Sequence, residues 1–190
     1  MKPTVIAFLG RAGSGKSTAA KYVIENMGAQ RVSFAGPLKE LARHLLELSE
    51  DQVYGSQEVK ETVDPRYGFT PRQFLQRLGN GAREIISKDV WINAMLTTIQ
   101  KSDSQLFVID DCRYVNEAKL ISESPEIRGF VIKLECPNAE TSADPNHPSE
   151  AEVDQVPPGF ISQTIVSSRS PGSADLLTKV RTVLEEFKVA

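Results

Sequence analysis

Eight residues near the start of the chain, Gly10-Arg11-Ala12-Gly13-Ser14-Gly15-Lys16-Ser17, restrict the fold more than any other segment. They match the spacing G-x-x-x-x-G-K-[ST]. Directly before them stands TVIAFL, residues 4–9, a continuous apolar run of the kind a strand buried on both faces requires. Directly after, Ala19, Ala20, Val23, Ile24 and Met27 recur at helical spacing up to a stop at Gly28. A glycine-rich turn between a buried strand and a helix lets successive backbone N–H groups converge on one anion, with the positive end of the helix dipole behind them. The expected ligand is a nucleoside triphosphate, ATP foremost, bound along Gly10 to Thr18. Lys16 is expected at the β- and γ-phosphates and the Ser17 hydroxyl on Mg2+. Arg11, inside the loop, is a candidate for touching the transferring phosphoryl group.

The remaining pattern alternates strands and helices. Strands are expected at 31–34, 105–109, 130–134 and 160–166, and helices at 38–48, 70–79, 89–101, 115–122 and 173–187. Thr70-Pro71 reads as an N-cap followed by proline at the first helical position. Residues 49–69 and 136–159 are polar, irregular and loop-like. This order predicts a three-layer α/β/α fold with a parallel sheet of about five strands. The helices at about 35–101 exceed what one crossover needs. They read as a substrate-binding insert within a single domain, over the edge where such sheets bind ligands.

Bulk properties narrow the function. A chain of 190 residues with a net charge of −3 presents no general basic field to a nucleic-acid polymer. No apolar run of about 18 residues is present to span a membrane. Cys112 and Cys136 lack metal-ligand spacing and make no disulfide framework, which fits a reduced cytoplasmic compartment.

A second chemical cluster follows the strand at 105–109. Asp110 and Asp111 stand where a nucleotide-binding sheet keeps the carboxylate that serves Mg2+, and Arg113 follows them. Asp110 continues the strand directly, whereas Asp111 lies nearer Arg113, and the pattern leaves the choice open. A third cluster, Arg72, Arg77 and Arg83, lies in the insert. Arginine supplies the bidentate donors that an acceptor phosphate requires, and Arg72 and Arg83 are the candidates. Trp91, the only tryptophan, is a core residue or a stacking surface for a base.

Together these segments resemble the phage-type deoxynucleoside monophosphate kinases, a branch of the P-loop nucleoside monophosphate kinases. The matching pieces are GRAGSGKST from Gly10, SFAGPLKELA from Ser33, TPRQFLQRLGNGAR from Thr70, DVW from Asp89, DCRYVNEA from Asp111 and HPSE from His147. The resemblance implies transfer of the ATP γ-phosphoryl group to a deoxynucleoside 5′-monophosphate in the cytoplasm, a host's if the source is a phage. It implies that Phe34, Leu38 and Lys39 border the acceptor, that Arg72, Arg83 and Arg113 bind its phosphate beside Asp111, and that Gln73 and Trp91 meet the base. Catalysis would rest on Lys16, Arg11, Arg113 and Asp111, with Mg2+ on Ser17 and Asp110. Arg169, in the loop after the last strand, would border the donor adenine by fold analogy. A homodimer stays open as an assembly.

One departure from the family matters. Many of these kinases bring arginines from a lid after the fourth strand, yet the lid-like segment 136–159 contains no Lys or Arg. Arg11, Arg113 or Arg169 must then supply the missing charge. Two other functions compete with the kinase reading above. One is a P-loop kinase for another phosphorylated acceptor, such as phosphomevalonate or dephospho-coenzyme A. The other is a nucleotide-binding switch protein, which would need no second phosphate site.

Overall fold

The computed structural model describes residues 2–137, 151–167 and 174–189. The chain divides into two compact units, one made of Met1–Ser33 with Thr98–Ala190, the other of Phe34–Thr97.

The first unit is built on a five-stranded sheet: β1 (Thr4–Leu9), β2 (Gln30–Val32), β3 (Leu106–Cys112), β4 (Arg128–Glu135) and β5 (Gln163–Val166). The spatial order is β2-β3-β1-β4-β5, and every pairing is parallel. β1 is central because it can be: Val5 to Leu9 are fully buried, and only an unbroken apolar run survives between two covered faces. The helix α1 (Lys16–Met27) turns Ala19, Ala20 and Val23 onto the sheet, where they meet Ile6, Phe8, Val108 and Ile132. The last helix, Ala174–Glu186 (α8 below), lays Leu176, Val180, Val183 and Leu184 on the same core. Its end is tied down by Arg128, which donates to the carbonyl of Phe187 at 2.6 Å, and by stacking of Phe130 on Phe187. In the same unit α7 (Val115–Glu123) follows β3 and packs Ala118 and Ile121 inward.

The second unit is helical: α2 (Gly36–Leu46), α3 (Glu50–Tyr54), α4 (Gln57–Glu61), α5 (Pro71–Ile85) and most of α6 (Val90–Gln100). Its small core joins Ala42, Leu46, Leu48 and Val53 with Phe74, Leu75 and Leu78. The segment 49–69, expected as irregular, contains two short helices, each opened by a serine. Ser49 accepts from the Gln52 amide while Gln52 accepts from the Ser49 amide, and Ser56 accepts from the Val59 amide. Between α4 and α5 a tight loop seals the end of α2. Arg66 reaches the Glu47 carbonyl and Tyr67 donates to the Leu46 carbonyl at 3.0 Å. Thr70 caps α5 as expected, with Pro71 at its first turn. The helix then runs past Gly79 and Gly81 instead of stopping at the first glycine.

Candidate functional site

The loop after β1 leaves the carboxyl edge of the sheet and enters α1 through Gly15, which has φ +93°. A side chain there is disfavoured by the backbone and would also require Leu176 to move. The backbone is left-handed, and a Cβ would sit 2.6 Å from Leu176 Cδ2. Gly10 is required by space alone, since its Cβ would lie 2.5 Å from Ser14 Oγ and 2.6 Å from the Leu134 carbonyl oxygen. α1 begins with no capping side chain and no acidic residue in its first turn. Its leading amides thus keep their affinity for an anion from outside. The Ser14 hydroxyl is buried with no hydrogen-bond partner among the described residues. Lys16 is buried too, and its ammonium folds back onto the loop, donating to the carbonyls of Gly10 at 2.7 Å and Arg11 at 2.6 Å. Ser17 is exposed on the first turn. Such a cradle, with a cation held over it, suits a polyphosphate.

Beside the loop stands the acidic end of β3. Ala7 pairs with Ile109 and Leu9 with Cys112, so β3 carries one extra residue at Asp110-Asp111. This bulge breaks the regular alternation of side chains where the two aspartates lie. Asp110 is buried and receives a fork from Arg31 of β2, Nε to Oδ1 at 3.1 Å and Nη2 to Oδ2 at 2.9 Å. The guanidinium takes one lone pair of each oxygen, so the carboxylate that was expected with Ser17 at the metal stands in an ion pair with the neighbouring strand. Asp111 is half-buried. Cys112, next to it, is inert: burial first, then the charges of Glu117 and Asp111, push its thiol well above the ordinary range. Among the described residues no cluster of three or more His, Cys, Asp or Glu side chains is arranged to hold a metal. Mg2+ in kinase sites is held through substrate phosphates and one or two protein oxygens, so the Ser17 hydroxyl still fits that chemistry.

Arg113 begins the turn into α7. The buried Glu117 carboxylate accepts from the amides of Arg113 at 2.9 Å and Tyr114 at 3.1 Å, fixing the backbone that carries the arginine. In DCRYVNEA the glutamate is therefore a capping residue. Two further residues of the site carried no signal in the sequence. Asp154, in a 3-10 turn at Val153–Gln155, forms an ion pair with Arg11 inside the phosphate loop. Glu152 lies 3.5 Å from the amide of Val115. Arg169 and the segment from His147 to Glu150 lie outside the described residues.

In the helical unit, three residues expected around the acceptor meet at Gly79. A Cβ there would lie 3.1 Å from Leu38 Cδ2 and 4.0 Å from Arg83 Nη1, while Trp91 donates its indole N–H to the Gly79 carbonyl at 3.1 Å. Trp91 is buried at 6% exposure, as a packed residue of the helical unit is. Gln73 is likewise engaged, its Oε1 accepting from the Thr70 amide in the capping box of α5. Arg72 pairs with Glu61 of α4. Phe34 is buried, and the Lys39 ammonium stands 4.7 Å from the centre of the Tyr54 ring.

A parallel sheet in this order, with a Gly-Lys-Ser cradle after its central strand, defines a P-loop kinase fold. Three solved structures share it over nearly the whole chain: shikimate kinase from Acinetobacter baumannii (TM-score 0.55, 15% identity, 100% and 97% of the two chains), TT1252 from Thermus thermophilus (0.52, 19%, 98% of each) and dephospho-CoA kinase from Campylobacter jejuni (0.50, 15%, 98% of each). No protein-family model matches the chain. In sequence it is 36% identical over 165 residues to a protein of Acanthamoeba polyphaga mimivirus described as a deoxynucleotide monophosphate kinase, a match covering 78% of this chain and 81% of that one. At this identity and coverage, the chain belongs to the deoxynucleotide monophosphate kinase family.

Proposed function

We propose that this protein transfers the γ-phosphoryl group of ATP to a deoxynucleoside 5′-monophosphate, yielding ADP and the deoxynucleoside diphosphate. The observation that carries this reading is the cradle at Gly10 to Ser17, with Lys16 held over it, in a chain of this family. ATP supplies the phosphoryl group, and Mg2+ held by Ser17 and by Asp110 or Asp111 would offset charge on the phosphates. The acceptor's phosphate oxygen is already nucleophilic, so the chain needs no strong general base. What its residues supply is alignment and positive charge. Lys16 would follow the β- and γ-phosphates, and Arg11 and Arg113 would take up charge on the group in flight. Arg72 and Arg83 would bind the acceptor phosphate, Arg72 after leaving Glu61. Leu38 and the packed wall at Gly79 would border its base.

The test is a coupled ADP-release assay with ATP and Mg2+ over dAMP, dGMP, dCMP, dTMP, their ribo forms, dephospho-coenzyme A and phosphomevalonate. Turnover is expected with at least one deoxynucleotide. Turnover with none, while the folded protein binds ATP, would remove this reading. Arg72→Ala and Arg113→Ala should raise the acceptor KM or lower kcat while ATP affinity is retained. Loss of ATP binding alone would place those arginines at the donor instead.

A further inference from the structure

The Arg11–Asp154 pair joins residues 143 positions apart, and the segment bearing the aspartate is firmly seated. Val153 and Val156 on either side of it are buried, at 1% and 6% exposure, so the turn is anchored in the core beneath its acidic face. From that turn Asp154 takes the Arg11 guanidinium, and Lys133 Nζ, held at 2.9 Å by Glu135, stands 4.0 Å from its other oxygen. Two residues earlier, Glu152 approaches the amide of Val115, the first of α7 and two residues after Arg113. One anchored acidic turn therefore reaches both the phosphate loop and the corner that carries Arg113.

The pair is a poor stabiliser of the fold. Both side chains are about half exposed, 56% and 52%, and ion pairs in that setting contribute little. What it does fix is the direction of a long, flexible side chain. A guanidinium has five N–H donors, so a carboxylate on one edge orients the group without exhausting it.

We infer that Asp154 is a positioning residue for phosphoryl transfer: it holds Arg11 along the phosphate loop, so that the arginine meets the transferring group already oriented. This rests on the proposed role of Arg11 in transfer, and it explains how a segment without a single cation between residues 136 and 159 still serves the reaction. The segment supplies the carboxylate that orients a cation located elsewhere.

The test is steady-state kinetics of Asp154→Asn and Asp154→Glu, each alone and in an Arg11→Ala background, with ATP, Mg2+ and the fastest acceptor of the deoxynucleotide panel. Slow ATP hydrolysis without acceptor is followed in parallel, so the outcome does not depend on the acceptor assignment. Asp154→Asn should lower kcat roughly tenfold with the ATP KM within about twofold, as expected when a group acts only in the transition state. Asp154→Glu should recover part of the loss. In Arg11→Ala the additional asparagine should change nothing further, and the thermal midpoint should move by no more than about 2 °C. An unchanged kcat overturns the inference, as does an equal loss in the Arg11→Ala background. A tighter ATP KM at unchanged kcat would make Asp154 a competitor of the nucleotide, and an unfolded Asp154→Asn would make it a fold residue. Either result overturns it as well. If no nucleotide is phosphorylated but hydrolysis still shows the coupling, the acceptor reading fails and this one stands.

Discussion

At Lys16 the physical role and the sequence pattern coincide. A buried ammonium needs partners, and two loop carbonyls provide them. Those oxygens lie in the turn that would face the phosphates, so the cation is in place before nucleotide arrives. Lys16→Ala is expected to abolish measurable transfer, a loss of at least roughly 10²-fold in kcat, as for other preorganised charge donors. The ADP-release assay reads it directly. Gly15 is as strict for a different reason. Gly15→Ala forces a left-handed alanine against Leu176, at a cost of about 1–3 kcal/mol. Thermal unfolding should show that loss together with weakened ATP binding. An alanine variant with the parent's midpoint and affinity would mean that the loop is free to rearrange. By contrast, Asp110 shows a partner that local pattern does not report. It is at the end of the strand as expected, but Arg31 on the neighbouring strand is a tertiary fact. No spacing rule reports it.

Among the elements, α5 carries the most consequence. Its start was legible, because Thr70 and Pro71 state a cap and a first turn. Its length was not, because Gly79 reads as a stop. The helix continues there because Leu38 closes onto the glycine at a distance that leaves little room for a side chain, and Trp91 takes its carbonyl. Trp91→Phe should remove that hydrogen bond, costing about 1 kcal/mol, with acceptor preference unchanged across the panel. A shifted base preference at unaltered stability would restore a role at the base. The loop before α5 adds a pH dependence. Hydrogen bonds from Arg66, then from Gln52, hold the Asp64 carboxyl well below the usual carboxylate range. A depressed folded value adds stability above the unfolded value near 3.9, and that stability is lost as pH falls through the folded value. The helical unit should therefore loosen progressively below about pH 4, visible in amide exchange at Tyr67 and Gly68. Asp64→Asn should weaken those amides at neutral pH and flatten the acid response.

For the whole molecule the expected signature is linkage to nucleotide. Ligand that binds only the folded state raises stability by mass action, about 2.7 kcal/mol at a hundredfold excess over Kd. ATP with Mg2+ should therefore raise the thermal midpoint of the parent protein. Lys16→Ala should largely abolish the rise, and an equal rise in that variant would locate ATP away from the loop. The fold itself was written in strong local terms. TVIAFL, short and apolar throughout before a glycine, reads as a strand buried on both faces, and the helix after the glycines has one apolar side. The parallel order of the sheet then follows from alternating elements.

What the sequence determined alone was whatever local chemistry fixes: the phosphate loop, the stop of α1 at Gly28, the start of α5 at Thr70, the apolar strands and so the class of fold. The two short helices within 49–69 were not legible, because five residues are too few to show a periodicity. What only the tertiary structure decided were the partners. The phosphate loop first appeared as a self-contained cradle, yet its arginine is oriented by an aspartate 143 residues away. Trp91 finds a glycine carbonyl as the partner of its indole N–H, and Asp110 an arginine on the neighbouring strand. The reason is physical: a side chain's propensity acts on its neighbours in the chain, whereas its hydrogen-bond and charge partners are set by which buried surfaces come together.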